Sequence, residues 1–249
     1  MITQIKQVIQ EHPEWLKSPH TPLSFMKFST PASGIKLDKQ KVHLFVFEQG
    51  EILPTLCVKT TRTYSVGDVI KRNYENLKLL EDGVRGTEFA QMFAVPLYLY
   101  DNAGLIFCIE SVCPGVILSA QTRGAELVIE KYIAWQSHLA RKTKGFLELE
   151  HGIRLPILVQ HGDMTPNNVL VSGRDIHLVD YDYVGIDKLA GFDLFNFLSK
   201  IKLRPETLNS CYERYFPHYL KSIGAHVESY KALFPLYHRV EVIRKTKKI

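Results

Sequence analysis

The sequence predicts an α+β fold in two lobes, a small antiparallel sheet first and a mostly helical half after it. Three observations carry this reading. Short apolar runs bounded by turn residues cluster between residues 23 and 110, the pattern of strands joined by tight turns. Apolar residues then recur at helical spacing from residue 125 onward. Residues 159–182 interrupt that helical half with short apolar runs and turn residues, which read as a hairpin with polar groups at its mouth. At 249 residues and 45% hydrophobic content, the chain suits one large domain or two small lobes with a real core.

Taken in order, residues 1–17 set Ile2, Ile5, Val8, Ile9 and Trp15 at helical spacing, with Pro13 and Pro19 bracketing the end. This reads as a leading helix packed on the first lobe. Residues 23–28 alternate as a strand does, and residues 29–34 form a turn with one glycine. Strands follow at 42–48 and 56–59, linked by Gln49-Gly50-Glu51. A helix is expected over 69–81, broken by Gly83 and Gly86. Strands at 97–100 and 105–110 flank Asp101-Asn102-Ala103-Gly104, and residues 111–115 form a linker. The lobe boundary is placed there, giving lobes 1–113 and 114–249. Residues 125–144 are a helix with Leu127, Ile129, Tyr132, Ile133, Trp135 and Leu139 as core positions, and its basic end suits the helix dipole. Residues 145–157 are a connection. Helices are expected at 189–201, 205–223 and 226–245, the last two interrupted by Pro217 and Pro235.

Residues 159–182 read VQHGDMTPNNVLVSGRDIHLVDYD. Asp163, Asn168 and Asp180 stand out, Asn168 five residues after Asp163 and Asp180 twelve after Asn168. Phosphoryl transfer needs a carboxylate near the attacking hydroxyl and oxygen ligands for a metal that bridges phosphates. Magnesium takes hard oxygen donors, and one or two from the protein suffice because phosphates and water supply the rest. Asp163 is the carboxylate type for the first role; Asn168 and Asp180 suit the second. Taken singly, Asp163 and Asn168 read equally well as turn residues. The joint pattern H-G-D-x4-N followed by an apolar strand ending in D-x-D favours chemistry.

That pattern, with Asp180-Tyr181-Asp182-Tyr183-Val184-Gly185 and then Phe192-Asp193-Leu194, resembles the aminoglycoside phosphotransferase and choline kinase superfamily. The resemblance implies a bilobal, protein-kinase-like fold and transfer of the γ-phosphate of ATP or GTP to a small molecule. It makes Asp163 the catalytic base and Asn168 and Asp180 the Mg2+ ligands, with His161 and Asp182 as support and Asp193 as the buried brace of the catalytic loop. Gly162, where protein kinases usually carry arginine, agrees with the aminoglycoside-type branch. In the first lobe, Ser33 and Gly34 lie in the turn that would cover the phosphates, although an ordinary hairpin turn reads as well from the residues. Lys59 closes an apolar run like the V-A-I-K strand of kinases, and Glu75 on the following helix would pair with it, with Glu81 as the competing carboxylate. Backbone groups near Glu110 and Val112 match the adenine-binding hinge. Only twelve residues separate Asp180 from Asp193, too few for the activation segment that docks a peptide, so a small-molecule hydroxyl acceptor is expected.

Other classes fit less well. No run of 18 apolar residues exists, so no membrane span is expected, and the N-terminus lacks the apolar core of a signal peptide. Cys57, Cys108, Cys113 and Cys211 show no metal spacing and read as reduced thiols of a cytoplasmic protein. The net charge of +5 sits wholly in residues 204–249, where nine Lys and Arg face four Glu. A solvated helix face explains that better than nucleic-acid binding, because aromatic-rich RNA motifs are missing. A catalytically inactive pseudokinase is the remaining alternative, disfavoured because every expected catalytic position is filled. The same charge balance argues against a polycationic aminoglycoside acceptor and for a neutral or anionic one such as a sugar or glycan precursor. The aromatic residues Tyr212, Tyr215, Phe216, Tyr219, Tyr230 and Tyr237 are read as core rather than as a cage for choline. The basic ending, without a helix stop, leaves room for sequence beyond residue 249. The oligomeric state is unknown from sequence.

Overall fold

Strand β3 (Leu56–Thr61) is buried at all six positions, and the first unit is built around it. The computed structural model describes residues 1–28, 41–61, 63–118, 124–185 and 189–247. They divide into two compact units, Met1–Asp82 with Ala94–Cys113, and Gly83–Phe93 with Pro114–Ile249.

In the first unit β1 (Leu23–Phe28), β2 (Lys41–Glu48), β3, β4 (Pro96–Asn102) and β5 (Leu105–Ser111) form one sheet in the order β1-β2-β3-β5-β4, each neighbouring pair antiparallel. Helix α1 (Ile2–Glu11) lays Ile5, Val8 and Ile9 on one face, against Val42, Leu44, Val46, Leu56, Val58, Phe107 and Ile109. Alternation puts Cys57, Lys59, Ile106, Cys108 and Glu110 on the other face, where Ile70 of α2 (Asp68–Val84) packs on Ile106 and Cys108. The α1 face ends on a polar clasp. The buried Glu48 carboxylate accepts the backbone N–H groups of Lys17 (3.1 Å) and Ser18 (2.7 Å) and the Thr55 hydroxyl (2.7 Å).

In the second unit the hairpin β9 (Val169–Ser172) and β10 (Asp175–Leu178) gains a third strand, β6 (Val116–Ile117), on the β9 side. Helix α3 (Ala125–Lys142) buries Val128, Ile129, Tyr132, Ile133 and Trp135. Helix α4 (Phe192–Lys200) is buried at all of 192–198, as a helix enclosed on every side is. Around it α5 (Pro205–Ser222) and α6 (Phe234–Lys247) supply an aromatic core in which Phe195 contacts Tyr212, Phe234 and Tyr237. The aromatic residues of these helices are thus core: Phe216, Tyr219 and Tyr237 are fully buried.

Several boundaries differ from the sequence reading. Gly83–Phe93 belongs with the second unit rather than the first, because Phe93 packs edge-on against Trp135 and Gln91 bonds to Asp175 and His177. Gly83 is inside α2; the left-handed Gly86 follows the helix end. Residues 145–157 contain a hairpin of β7 (Phe146–Glu148) and β8 (Arg154–Pro156). The run at 159–161 is not a strand; Gln160 makes a single bridge to Gly185. Pro217 lies within a continuous α5, and Pro235 sits in the first turn of α6, where its missing N–H costs nothing. The stretch before α6 is instead a short 3-10 turn, Tyr230–Leu233. Among the described residues no helix is long and apolar enough to cross a membrane.

Candidate active site

Asp193 organises the loop that holds Asp163. It lies in the first turn of α4, fully buried, and its two carboxylate oxygens accept the backbone N–H groups of His161 (2.7 Å) and Gly162 (2.8 Å). A helix N-terminus favours a carboxylate, which lowers the cost of burying this one. One turn on, Asn196 donates its amide to the Met164 carbonyl at 3.1 Å. Two side chains of one helix therefore fix both ends of the segment 161–164. Helix α4 starts where it does because Gly191, at φ +89°, leaves room that a Cβ would take from Tyr237 and Tyr219.

His161 is fully buried beneath Asp163. The Asp163 N–H approaches His161 Nδ1 at 3.4 Å and His161 Nε2 lies 3.1 Å from the Val179 carbonyl. A neutral imidazole with its proton on Nε2 serves both partners. Behind it, Tyr132 donates to Gln160, Gln160 to Gln136, and Gln136 to the Val159 carbonyl.

Asp163 and Asn168 meet directly. The Asn168 amide nitrogen donates to the Asp163 carbonyl (2.8 Å) and to its carboxylate Oδ2 (3.2 Å). Asp180 is tied to the same place by the hairpin, since the Val179 N–H bonds to the Asn168 carbonyl at 3.0 Å. Asp180 itself has φ +67°, a left-handed conformation uncommon outside glycine and one that Asp tolerates better than most residues. Asp163, Asn168, Asp180 and Asp182 are all half-buried, neither sealed in the core nor on the open surface.

Lys59, in the first unit, is not at a strand end but inside β3, and only 4% exposed. Its ammonium pairs with Glu110 Oε1 on β5 at 2.8 Å and donates to Asn73 Oδ1 on α2 at 3.1 Å. The expected Glu75 pair is not formed, and Glu75 is exposed. The reason is rotational. Ile70, Asn73, Leu77, Leu80 and Val84 make the buried stripe of α2, and Glu75 lies about 200° round the helix from Asn73. Glu110, expected to offer only backbone groups, commits its side chain to Lys59. Burial alone would pull the Lys59 pKa down; the groups around it, the Glu110 charge first among them, together more than offset this, so Lys59 is held above the ordinary lysine value. Val112 lies just past β5 and is half-buried. Ser33 and Gly34 lie outside the described residues.

Comparison with solved structures places the fold. Aminoglycoside phosphotransferase APH(3'')-Id from Streptomyces rimosus is similar over 97% of this chain and 98% of its own, with a TM-score of 0.52 at 11% identity. Aminoglycoside-3'-phosphotransferase of type VIII is similar over 96% and 97%, with a TM-score of 0.52 at 13% identity. The chain has the aminoglycoside phosphotransferase fold. Monomeric WbdD shares it over 82% of this chain, at a TM-score of 0.52 and 17% identity, and the match spans 49% of the WbdD chain. No family model matches the sequence. No curated protein matches it either.

Within this phosphotransferase fold the donor set suits a divalent cation. Because the Asn168 amide N–H groups point to Asp163, those bonds leave its Oδ1, the atom able to ligate metal, uncommitted. Asp180 adds a carboxylate, and both are hard oxygen donors. Among the described residues no group of three or more His, Cys, Asp or Glu is placed to hold a metal. Sequence reading missed three polar partners: Asn73 and the side chain of Glu110, which hold Lys59 in the first unit, and Asn196, which holds the Met164 carbonyl in the second. Asn196 was findable as a polar residue three after Asp193, on the same helix face. Asn73 was findable as the polar member of an apolar stripe.

Proposed function

We propose that this chain is a small-molecule kinase, transferring the γ-phosphate of ATP or GTP to a hydroxyl of its acceptor. The observation that carries the reading is the contact between Asp163 and Asn168, held on a loop whose backbone N–H groups end on the buried Asp193. Asp163 orients the acceptor hydroxyl and takes its proton. Asn168 holds the Asp163 carboxylate in place and, with Asp180, would hold Mg2+, which would neutralise charge on the phosphates when bound. Lys59 takes phosphate oxygens of the nucleotide. The acceptor is a neutral or anionic hydroxyl compound such as a sugar or glycan precursor. The basic balance of residues 204–249 supports this, as does the pairing of Glu241 in that segment with Lys200 at 2.9 Å.

The test is acceptor-stimulated ATP and GTP consumption across sugars, amino alcohols and aminoglycosides, with Asp163→Ala as control. Turnover with at least one hydroxyl acceptor, lost in the control, is the expected result. Nucleotide-dependent thermal stabilisation with no turnover on any acceptor would instead make the chain a binding module. Efficient phosphorylation of aminoglycosides with sugars inert would overturn the acceptor class and leave the kinase reading in place.

A further inference from the structure

The buried face of the first unit's sheet departs from the expected pairing in a way that reassigns one role. Lys59 and Glu110 stand on neighbouring antiparallel strands, where the register sets Cys57 opposite Glu110 and Lys59 opposite Cys108. The ion pair is the diagonal of that register, within reach of long side chains on one face. Both partners are more than nine-tenths buried, at 4% and 7% exposure. The second Glu110 oxygen, Oε2, is buried with no hydrogen-bond partner, so Lys59 is the group that makes the carboxylate tolerable there. Helix α2 contributes a neutral amide from Asn73, while its nearby carboxylate, Glu75, points to solvent.

We infer that Glu110, assisted by Asn73, is the positioning residue for the phosphate-binding Lys59, and that Glu75 has no part in it. The role of Lys59 rests on the kinase reading; the identity of its partner does not. The consequence is mechanical. A carboxylate on a helix places the lysine only when that helix is docked. Here the charge partner comes from the adjacent strand, so strand hydrogen bonds set the distance. The lysine is therefore in position in the free protein, and displacing α2 removes a neutral hydrogen bond rather than the counter-charge.

The experiment follows the Lys59 side chain by NMR of lysine-labelled full-length protein, assigned with Lys59→Met and titrated without nucleotide. In the wild-type and Glu75→Gln proteins Lys59 should titrate above the ordinary lysine range. In Glu110→Gln the titration should fall by about two pH units or more, because the Glu110 charge no longer opposes the downward pull of burial. Glu110→Asp, which keeps the charge, should hold the midpoint well above that of Glu110→Gln. An unchanged midpoint in Glu110→Gln, or a drop in Glu75→Gln, overturns the inference; the second outcome is readable even if Glu110→Gln does not fold. Turnover supplies the functional arm. Glu110→Gln should lose tenfold or more in kcat with the acceptor KM within twofold, and Glu75→Gln should stay within twofold in both. The reverse ranking overturns the inference. A wild-type chain without turnover would defeat the kinase reading, while the titration still decides the partner of Lys59.

Discussion

The carbonyl oxygen of Tyr183 occupies the space in which a side chain at Gly162 would begin. A Cβ there would lie closer to that oxygen than real Cβ atoms approach, and Gly162 has φ +79°. The glycine therefore lets the segment after Asp180 cross the loop that carries Asp163, an approach closed off nearby by the Gln160–Gly185 bridge. The loop of the proposed base and the segment of the proposed metal ligand are thereby packed backbone to backbone.

Gly162→Ala should accordingly do more than its size suggests. The left-handed conformation alone costs about 1–2 kcal/mol for an alanine, before the clash is relieved. Chemical denaturation should show at least that loss. Turnover should fall tenfold or more, because relief of the clash moves Asp163 relative to Asp180. A variant as stable and active as wild type would show that the crossing is not needed.

Asp193→Asn keeps the shape of the brace and removes half its acceptors. One backbone N–H, of His161 or Gly162, then faces an amide N–H instead of an oxygen. A buried donor left without an acceptor costs about 1–3 kcal/mol, so urea denaturation should show a loss of that order. Turnover should drop with it, while Asn196→Ala, which frees only the Met164 carbonyl, should be milder on both measures.

Asp163→Ala removes the proposed proton acceptor and leaves the Asn168 bond to the backbone carbonyl of residue 163. Transfer should fall by about 10²–10⁴. Nucleotide affinity, read by calorimetry, should stay near the wild-type value. Asn168→Ala should instead raise the Mg2+ concentration needed for half-maximal rate, since it removes one of the two proposed ligands.

The Glu48 clasp gives a pH-dependent test in the first unit. Burial pushes its carboxyl up, and the bonds from Thr55, Ser18 and Lys17 more than offset this, so its pKa lies below the ordinary 4.5. A carboxyl with a depressed folded pKa contributes stability above its unfolded pKa and loses it as pH falls through the folded value. Glu48→Gln should therefore be less stable than wild type at pH 7, where the ionised carboxylate accepts all three bonds. That gap should narrow below pH 4.5 and close once wild-type Glu48 is itself protonated. Thermal unfolding of both proteins across the acid range checks it; a gap independent of pH would mean the loss comes from packing.

Local pattern along the chain encodes much of this fold. The strands and helices around the site follow from periods of two and 3.6 residues and from turn chemistry, which act over a few neighbours. The candidate set Asp163, Asn168 and Asp180 could be picked out for the same reason, because one loop and the hairpin after it bring all three within eighteen residues of chain. Only the tertiary structure decided which partners reach across elements. Lys59 meets Glu110, fifty-one residues away, because β3 and β5 are adjacent in the sheet, and no spacing in the chain records that adjacency. Asn73 rather than Glu75 faces the lysine because packing of Ile70 on Ile106 and Cys108 sets the rotation of α2. At Gly162 it is the Tyr183 carbonyl, twenty-one residues on, that forbids anything larger. Burial makes these choices: a charge in the core must have a partner, and which one it gets depends on how the strands and helices stack.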